Sequence, residues 1–396
     1  MQPLKSPLKS PLQSLMSLDR PRTKRYSLMA IATLASLLGG CNRPSVVPSP
    51  NAASPTPSPT STRPAVIASG GVICDLTEQI AGDTIELTCL VEPGRDLHTY
   101  EPTPADRAAI ESANLVLYGG YGFEGGLLKT ITSASSAGTK VALFEQAVPQ
   151  PILTAGHDHD HGHEGDHDHD GEQAAAKPEA DQHDHDHQED KQAKTAKQAE
   201  DAAQPNDSEQ TPDPHVWHDP NNGVRLTKAI ADRLASLVPA QANRYQQQAS
   251  AIATQLQQLD RWIAAQVATV PADRRKLVTT HDSLRYYARA YGFQVKGALS
   301  GLSTDARPSP GDLAELVKLV KAAGVPAIFA EVSTNPKTIA TVAREAGVQV
   351  APQPLFVDGP GAPDSAGGTY QTMLTSNTCT IVNALGGKCD PKTAAQ

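Results

Sequence analysis

From Gln241 to Val270 the chain runs for thirty residues without a glycine or a proline. Within that run Ile252, Leu256, Leu259, Ile263 and Val267 recur at three- and four-residue spacing, which places them on one face of an α-helix. At about 1.5 Å per residue the helix is about 45 Å long, more than one small domain needs. Its length and central position predict a rigid strut joining two domains.

Both flanks of the strut alternate strand and helix signals. Before it, Ala65 to Gly71 reads as a buried strand followed by a helical stretch through Ile80. Thr84 to Val91 alternates as a second strand, with Ile85, Leu87 and Cys89 on one face. Thr103-Pro104 opens a helix with proline in its first turn. Leu115 to Tyr118 and Lys140 to Leu143 are the third and fourth strands. After the strut, Lys276 to Thr280 is a strand ending at His281, and Asp282 to Tyr291 a helix closed by Gly292. Ser309-Pro310-Gly311-Asp312 starts a helix through Ala323, and Pro326 to Ala330 is a strand ending at Glu331. Asn335-Pro336 starts a helix ending at Gly347, and Val348 to Phe356 is a strand ending near Asp358. This rhythm predicts an α/β fold of two lobes, each a mainly parallel sheet flanked by helices, joined by one long rigid helix. The lobes span residues 65–240 and 271–396, with the linking helix at 241–270.

Three segments lie outside that fold. Arg20, Arg22, Lys24 and Arg25 precede a mostly apolar run, Leu28 to Leu38, too short to span a bilayer. The layout is that of a secretory signal over residues 1–40. Its end, Leu38-Gly39-Gly40-Cys41, resembles a bacterial lipobox, which implies lipidation of Cys41. Residues 41–64 are dense in Pro, Ser and Thr and suit an extended tether. Residues 154–212 have almost no large apolar side chains, so a disordered insertion is expected there. The net charge of -9 argues against a nucleic-acid partner.

Export also bears on the cysteines. With Cys41 lipidated, Cys74, Cys89, Cys379 and Cys389 remain, an even number for an oxidising compartment. Three pairings are open; Cys74 with Cys89 and Cys379 with Cys389 are favoured, because each closes a short loop within one lobe. A four-cysteine zinc site is rejected, since no C-x-x-C pair occurs.

Nine of the thirteen histidines sit in one Asp-rich run: His157, His159, His161, His163, His167, His169, His183, His185 and His187. No apolar residue fixes them, so they suit weak, rapidly exchanging metal binding. His163-Glu164-Gly165-Asp166-His167 matches H-E-x-x-H, but that motif needs a helix and none is expected here. The other four histidines are His98, His215, His218 and His281. His98, His281, Glu331 and Asp358 each follow a predicted strand, where open α/β sheets bind ligands. His215 lies in Asp213-Pro214-His215-Val216-Trp217, where a neighbouring Trp and Pro can hold it still. His98 and His215 from the first half, with His281 and Asp358 from the second, would meet in a cleft between the lobes. Three imidazoles and one carboxylate suit zinc, whereas manganese prefers more oxygen ligands. His218 is expected to be an exposed neighbour of His215, with exchange of the two as the alternative.

Taken together, Gly94-Arg95-Asp96-Leu97-His98-Thr99-Tyr100-Glu101-Pro102-Thr103-Pro104, Asp213-Pro214-His215-Val216-Trp217, Thr280-His281-Asp282 with Tyr286-Tyr287, Glu331-Val332-Ser333-Thr334-Asn335-Pro336, and Asp358 with Gly368-Thr369-Tyr370 resemble one family. It is that of the metal-binding receptors of ABC importers for zinc and manganese, specifically the zinc-uptake (ZnuA-type) branch, over roughly Ala65 to Leu385. The resemblance implies His98, His215 and His281 as principal ligands, Asp358 as a variable fourth, and Glu331 as a supporting or alternative ligand. A histidine rather than glutamate at 281 implies zinc. It also implies a monomer, delivery of Zn2+ to a membrane permease with a cytoplasmic ATPase, and a place in the periplasm or on the outer face of the cytoplasmic membrane. The sequence departs from the pattern at Leu97, where many relatives have proline, and at His218, where they usually have an apolar residue. Three other readings stand beside this one: a manganese receptor of the same fold, a secreted zinc hydrolase with Glu331 as general base, and a structural adhesin that uses zinc only for stability.

Overall fold

The apolar runs of the first half assemble into a single sheet whose strands all run parallel. A computed structural model describes residues 63–155, 210–301, 303–304 and 308–394. The signal-like residues 1–40, Cys41, most of the tether, and the histidine run with its H-E-x-x-H match lie outside the described residues. β1 (Ala65–Gly70) is buried from Val66 onward and leads into α1 (Gly71–Ala81). β2 (Glu86–Val91) is an edge strand, so Glu86 and Thr88 face solvent while Leu87 and Cys89 are half-buried. A disulfide from Cys74 of α1 to Cys89 of β2 pins helix to edge, with Cα atoms 5.7 Å apart.

α2 (Pro104–Ser112) starts where Thr103 and Asp106 form a reciprocal capping box behind Pro104. Next come β3 (Leu115–Tyr118), α3 (Gly126–Ser133), β4 (Thr139–Ala142) and the short α4 (Leu143–Ala147). The sheet order is β2-β1-β3-β4. The expected insertion at 154–212 begins and ends in ordered backbone. β5 (Leu153–Ala155) pairs antiparallel with β6 (Gln210–Pro212), so a two-stranded neck closes the segment.

α5 (Pro220–Leu237) is capped by Asp219, whose side chain accepts the Asn221 amide. The Gly/Pro-free run forms α6 (Ala242–Val267), about 39 Å long at the usual helical rise. Its buried face is Tyr245, Ala249, Ile252, Leu256, Leu259, Ile263 and Val267, and it packs on α5, on α1 and on a helix of the second half.

The second half opens with β7 (Lys276–His281), then α7 (Arg285–Tyr291), which ends at Gly292 in the left-handed conformation. The parallel partner of β7 is β8 (Gln294–Ser300), a strand whose Lys296 and Gly297 obscured its pattern. α8 (Pro310–Ala323) has a Ser309–Asp312 capping box; β9 (Ala327–Ile328), α9 (Pro336–Ala346) and β10 (Gln349–Val350) follow. The strand expected through Phe356 stops at Val350, because Pro352 and Pro354 have no amide to donate. One isolated parallel bridge, Glu331 to Leu355, resumes the pairing. The β7–β8 and β9–β10 pairs meet where Phe329 N–H donates to the Val278 carbonyl at 3.0 Å.

α10 (Tyr370–Ala384), capped by Thr369, packs back on α6. A second disulfide, Cys379 to Cys389, holds the tail to this helix. One hydrophobic cluster runs from β1 and α1 through α6 to Tyr286, Phe329 and Met373, and a smaller one fills the space beneath α8 and α9. The two lobes thus meet across packed apolar surface, and their strands end at a common seam.

Candidate metal centre

Each of the four residues at that seam is fixed by a neighbour with a stated job. His98 follows β2, and Asp96 Oδ1 accepts its backbone N–H at 2.9 Å. The chain passes so close to Gly125 that a Cβ there would lie 2.1 Å from the His98 carbonyl oxygen. His215 repeats the Asp-x-His arrangement: Asp213 Oδ1 accepts the His215 amide at 2.9 Å and lies 2.9 Å from its Nδ1. His281 is the last residue of β7. Glu331 Oε1 accepts the Thr280 and His281 amides at 3.1 and 3.0 Å, and its Oε2 lies 2.7 Å from His281 Nδ1. Asp358 follows the Leu355 bridge; the Ser333 hydroxyl donates to its Oδ2, whereas its buried Oδ1 has no hydrogen-bond partner.

A carboxylate on Nδ1 of His215 and of His281 leaves both Nε2 atoms to face the same point. His215 Nε2 lies 3.3 Å from His98 Nε2 and 3.2 Å from His281 Nε2. Asp358 Oδ1 lies 3.8 Å from His98 Nε2 and 3.5 Å from His281 Nε2. Ligands about 2.0–2.1 Å from a tetrahedral ion are separated by about 3.3–3.4 Å, close to the 3.2, 3.3 and 3.5 Å separations here, and all four ligand atoms lie within 4.8 Å of one another. The Oδ1 of Asp358, with no hydrogen-bond partner among the described residues, is the kind of atom a cation would satisfy. All four side chains are buried.

Burial also sets their protonation. It pushes His98 down to about 3, against the opposing pull of Asp358. It holds His215 well below the usual imidazole range, helped by the charge on His281. His281 is the exception: burial disfavours its charge, but the Glu331 and Asp358 carboxylates outweigh that and hold it up at about 10. Burial raises Asp358 above the usual carboxylate range, with His281 and His98 acting against it, and raises Asp213 to about 7. Two neutral imidazoles are therefore ready to donate lone pairs, and the third gives up a proton when a cation arrives.

Thus His98, His215, His281 and Asp358, from four segments, converge, and they form the only such cluster among the described residues. Glu331 stands behind His281 with both oxygens engaged, so neither is free to act as a general base. His218 is not the exposed neighbour expected from sequence. It is 1% exposed, its Nε2 lies 2.9 Å from the Val357 carbonyl oxygen, and its ring packs on Trp217 with centroids 5.6 Å apart. It is not one of the four clustered residues. Asp96, Asp213 and Ser333 support the cluster without being marked singly by the sequence; the repeated Asp-x-His spacing at Asp96/His98 and Asp213/His215 is the signal for two of them. A groove of about 1020 Å3 between α10 and the β9–β10 edge holds none of the four residues and no cluster of ligating groups.

The family model for the periplasmic zinc-uptake complex component A matches residues 66–384. The zinc-binding protein TroA of Treponema pallidum is 30% identical over 329 residues, covering 82% of this chain and 89% of that protein. The manganese-binding lipoprotein MntA of Halalkalibacterium halodurans is 27% identical over 321 residues, covering 81% of this chain and 88% of that protein. Among solved structures, that of the periplasmic zinc-binding protein TroA from Treponema pallidum superposes with a TM-score of 0.64 at 29% identity, covering 82% of this chain and 99% of that one.

Proposed function

Because the chain belongs to the family of periplasmic zinc-uptake complex component A proteins, we propose that it captures Zn2+ between its two lobes and delivers it to an ABC-transporter permease. Membership makes it a metal-binding receptor of an ABC importer, not an enzyme, and sets its work outside the cytoplasmic membrane. The observation that carries the reading is the convergence of three imidazole nitrogens and the Asp358 Oδ1 within 4.8 Å of one another.

The choice of zinc rests on the donor set. Three imidazoles and one carboxylate make a borderline-soft, four-coordinate cage, whereas Mn2+ favours more oxygen and higher coordination. The opposing observation is the likeness to a manganese-binding lipoprotein. Equimolar Zn2+ and Mn2+ offered to the metal-free chain separate the two. Retention of zinc supports the reading; retention of manganese overturns the choice of metal and leaves the receptor role standing.

The remaining parts of the reading follow from the layout. Cys41 anchors the chain by lipid, residues 41–64 tether it, and α6 acts as the strut that limits the lobes to modest closure. The histidines from His157 to His187 collect zinc loosely. The permease, with its cytoplasmic ATPase, receives the ion from a single receptor molecule.

A further inference from the structure

Val357 immediately precedes Asp358, and its carbonyl oxygen accepts two hydrogen bonds from the opposite lobe. The Trp217 indole Nε1–H donates at 3.1 Å and the His218 Nε2–H at 2.9 Å. A carbonyl has two lone pairs and no proton, so both neighbours must be donors and His218 must carry its hydrogen on Nε2. The donors belong to the 3-10 turn Val216–His218, which starts at His215. Within that turn His218 N–H donates to the His215 carbonyl at 3.4 Å, and Asn222 Nδ2 donates to the Val216 carbonyl at 3.0 Å. From the second lobe the Tyr370 hydroxyl donates back to the Trp217 carbonyl at 2.6 Å. His218, Trp217, Val357 and Tyr370 are each no more than 1% exposed, so water does not compete for these bonds.

We propose that His218 is a positioning residue of the metal centre: by clamping the Val357 carbonyl to the turn that carries His215, it sets the reach of Asp358 toward the ion. The inference rests on the zinc-receptor reading above. It separates the side chain of His218 from the four ligands, since its imidazole bonds the Val357 carbonyl while only its backbone N–H reaches the His215 carbonyl, and gives a purpose to a buried imidazole that the cage leaves unused. Asp358 needs such a clamp more than the histidines do. His215 and His281 each have a carboxylate holding the ring from behind, whereas among the described residues the side chain of Asp358 has one hydrogen bond outside the cage, from the Ser333 hydroxyl.

The test is a double-mutant cycle between His218 and Asp358, read as zinc affinity by competition with a chelating dye and as thermal unfolding of the metal-free chain. H218L should weaken zinc binding about 10-fold or more, the range in which supporting residues of metal sites act. H218Q, which can still donate to Val357, should stay within about threefold of the parent. In the D358A background, H218L should weaken binding no further, because the residue it acts through is gone. Should H218L not fold, H218N, polar but too short to reach Val357, carries the same comparison. Equal losses with H218L in both backgrounds, or a loss with H218Q as large as with H218L, would overturn the proposal by assigning His218 a general structural role. Unchanged affinity in H218L would overturn it outright. A parent chain with no tight zinc site at all would instead overturn the receptor reading on which it rests.

Discussion

Glu331 holds His281 at two points, accepting the backbone N–H with one carboxylate oxygen at 3.0 Å and facing Nδ1 with the other at 2.7 Å. The second contact keeps a hydrogen on Nδ1 and so leaves Nε2 free for the ion. E331Q keeps the first contact, since an amide oxygen can accept the backbone, but turns an NH2 group toward Nδ1. The hydrogen of neutral His281 then moves to Nε2, where it blocks ligation. E331Q should bind zinc about 10- to 100-fold more weakly with little change in fold, as read by dye competition and circular dichroism. Unaltered affinity would show that Glu331 does not set the tautomer.

The pH dependence of binding follows from the same pair. His281 is held at about 10 by Glu331 and Asp358 against the opposing effect of burial. It carries its second proton at neutral pH in the metal-free chain and loses it on binding. His98, pushed down to about 3, and His215, also lowered by burial, are already neutral there and add nothing. The free receptor therefore binds at least one proton more than the loaded one, so acid favours release. Zinc affinity should fall about tenfold or more for each pH unit lowered between about pH 8 and about pH 6. An affinity flat across that range would contradict the assignment.

Gly71 and Gly359 touch where the lobes meet. Gly71 has φ +52°, and a Cβ on it would lie 2.8 Å from the Asp358 carbonyl oxygen. Alanine there strains its own backbone and pushes the Asp358 segment away. G71A should lose about 1–3 kcal/mol of stability, and weaken zinc binding as Asp358 is displaced. Urea unfolding and zinc titration measure the two effects; G71A behaving as the parent in both would show that the seam is slack.

The disulfides should matter for stability and not for the ion. Cys379 and Cys389 close a ten-residue separation at the end of α10, on the side where the Trp262 indole donates to Thr393 Oγ1 at 2.8 Å. Replacing both by serine should cost about 2–3 kcal/mol by the loop-entropy relation, with zinc affinity unchanged. A parallel loss of affinity would mean that α10 transmits strain to the seam.

Much of the architecture was legible because it rests on local signals. The helix starts at Thr103-Pro104, Ser309-Pro310 and Asn335-Pro336 are capped as their side chains dictate, and the buried face of α6 carries the residues its spacing selected. What misled was tertiary. β8 is hidden in the sequence because a Lys and a Gly interrupt its apolar pattern, and the pairing after Val348 ends sooner than the pattern suggests because an extended run with two prolines resembles a strand without making its hydrogen bonds. In the site, His98, His215, His281 and Asp358 could be chosen by where they follow strands and by the resemblance of their motifs. The burial of His218 could not, because the acceptor that draws it inward, the Val357 carbonyl, lies 139 residues away.

The most direct measurement is a zinc titration of three proteins: the parent lacking its first 41 residues, its H215A variant, and a variant lacking residues 157–187. The account predicts one tight site in the parent, retained when the histidine run is removed and lost in H215A, with weak sites remaining in H215A. A tight site that survives H215A, or one that disappears with the histidine run, would place the ion outside the lobe seam and contradict the account.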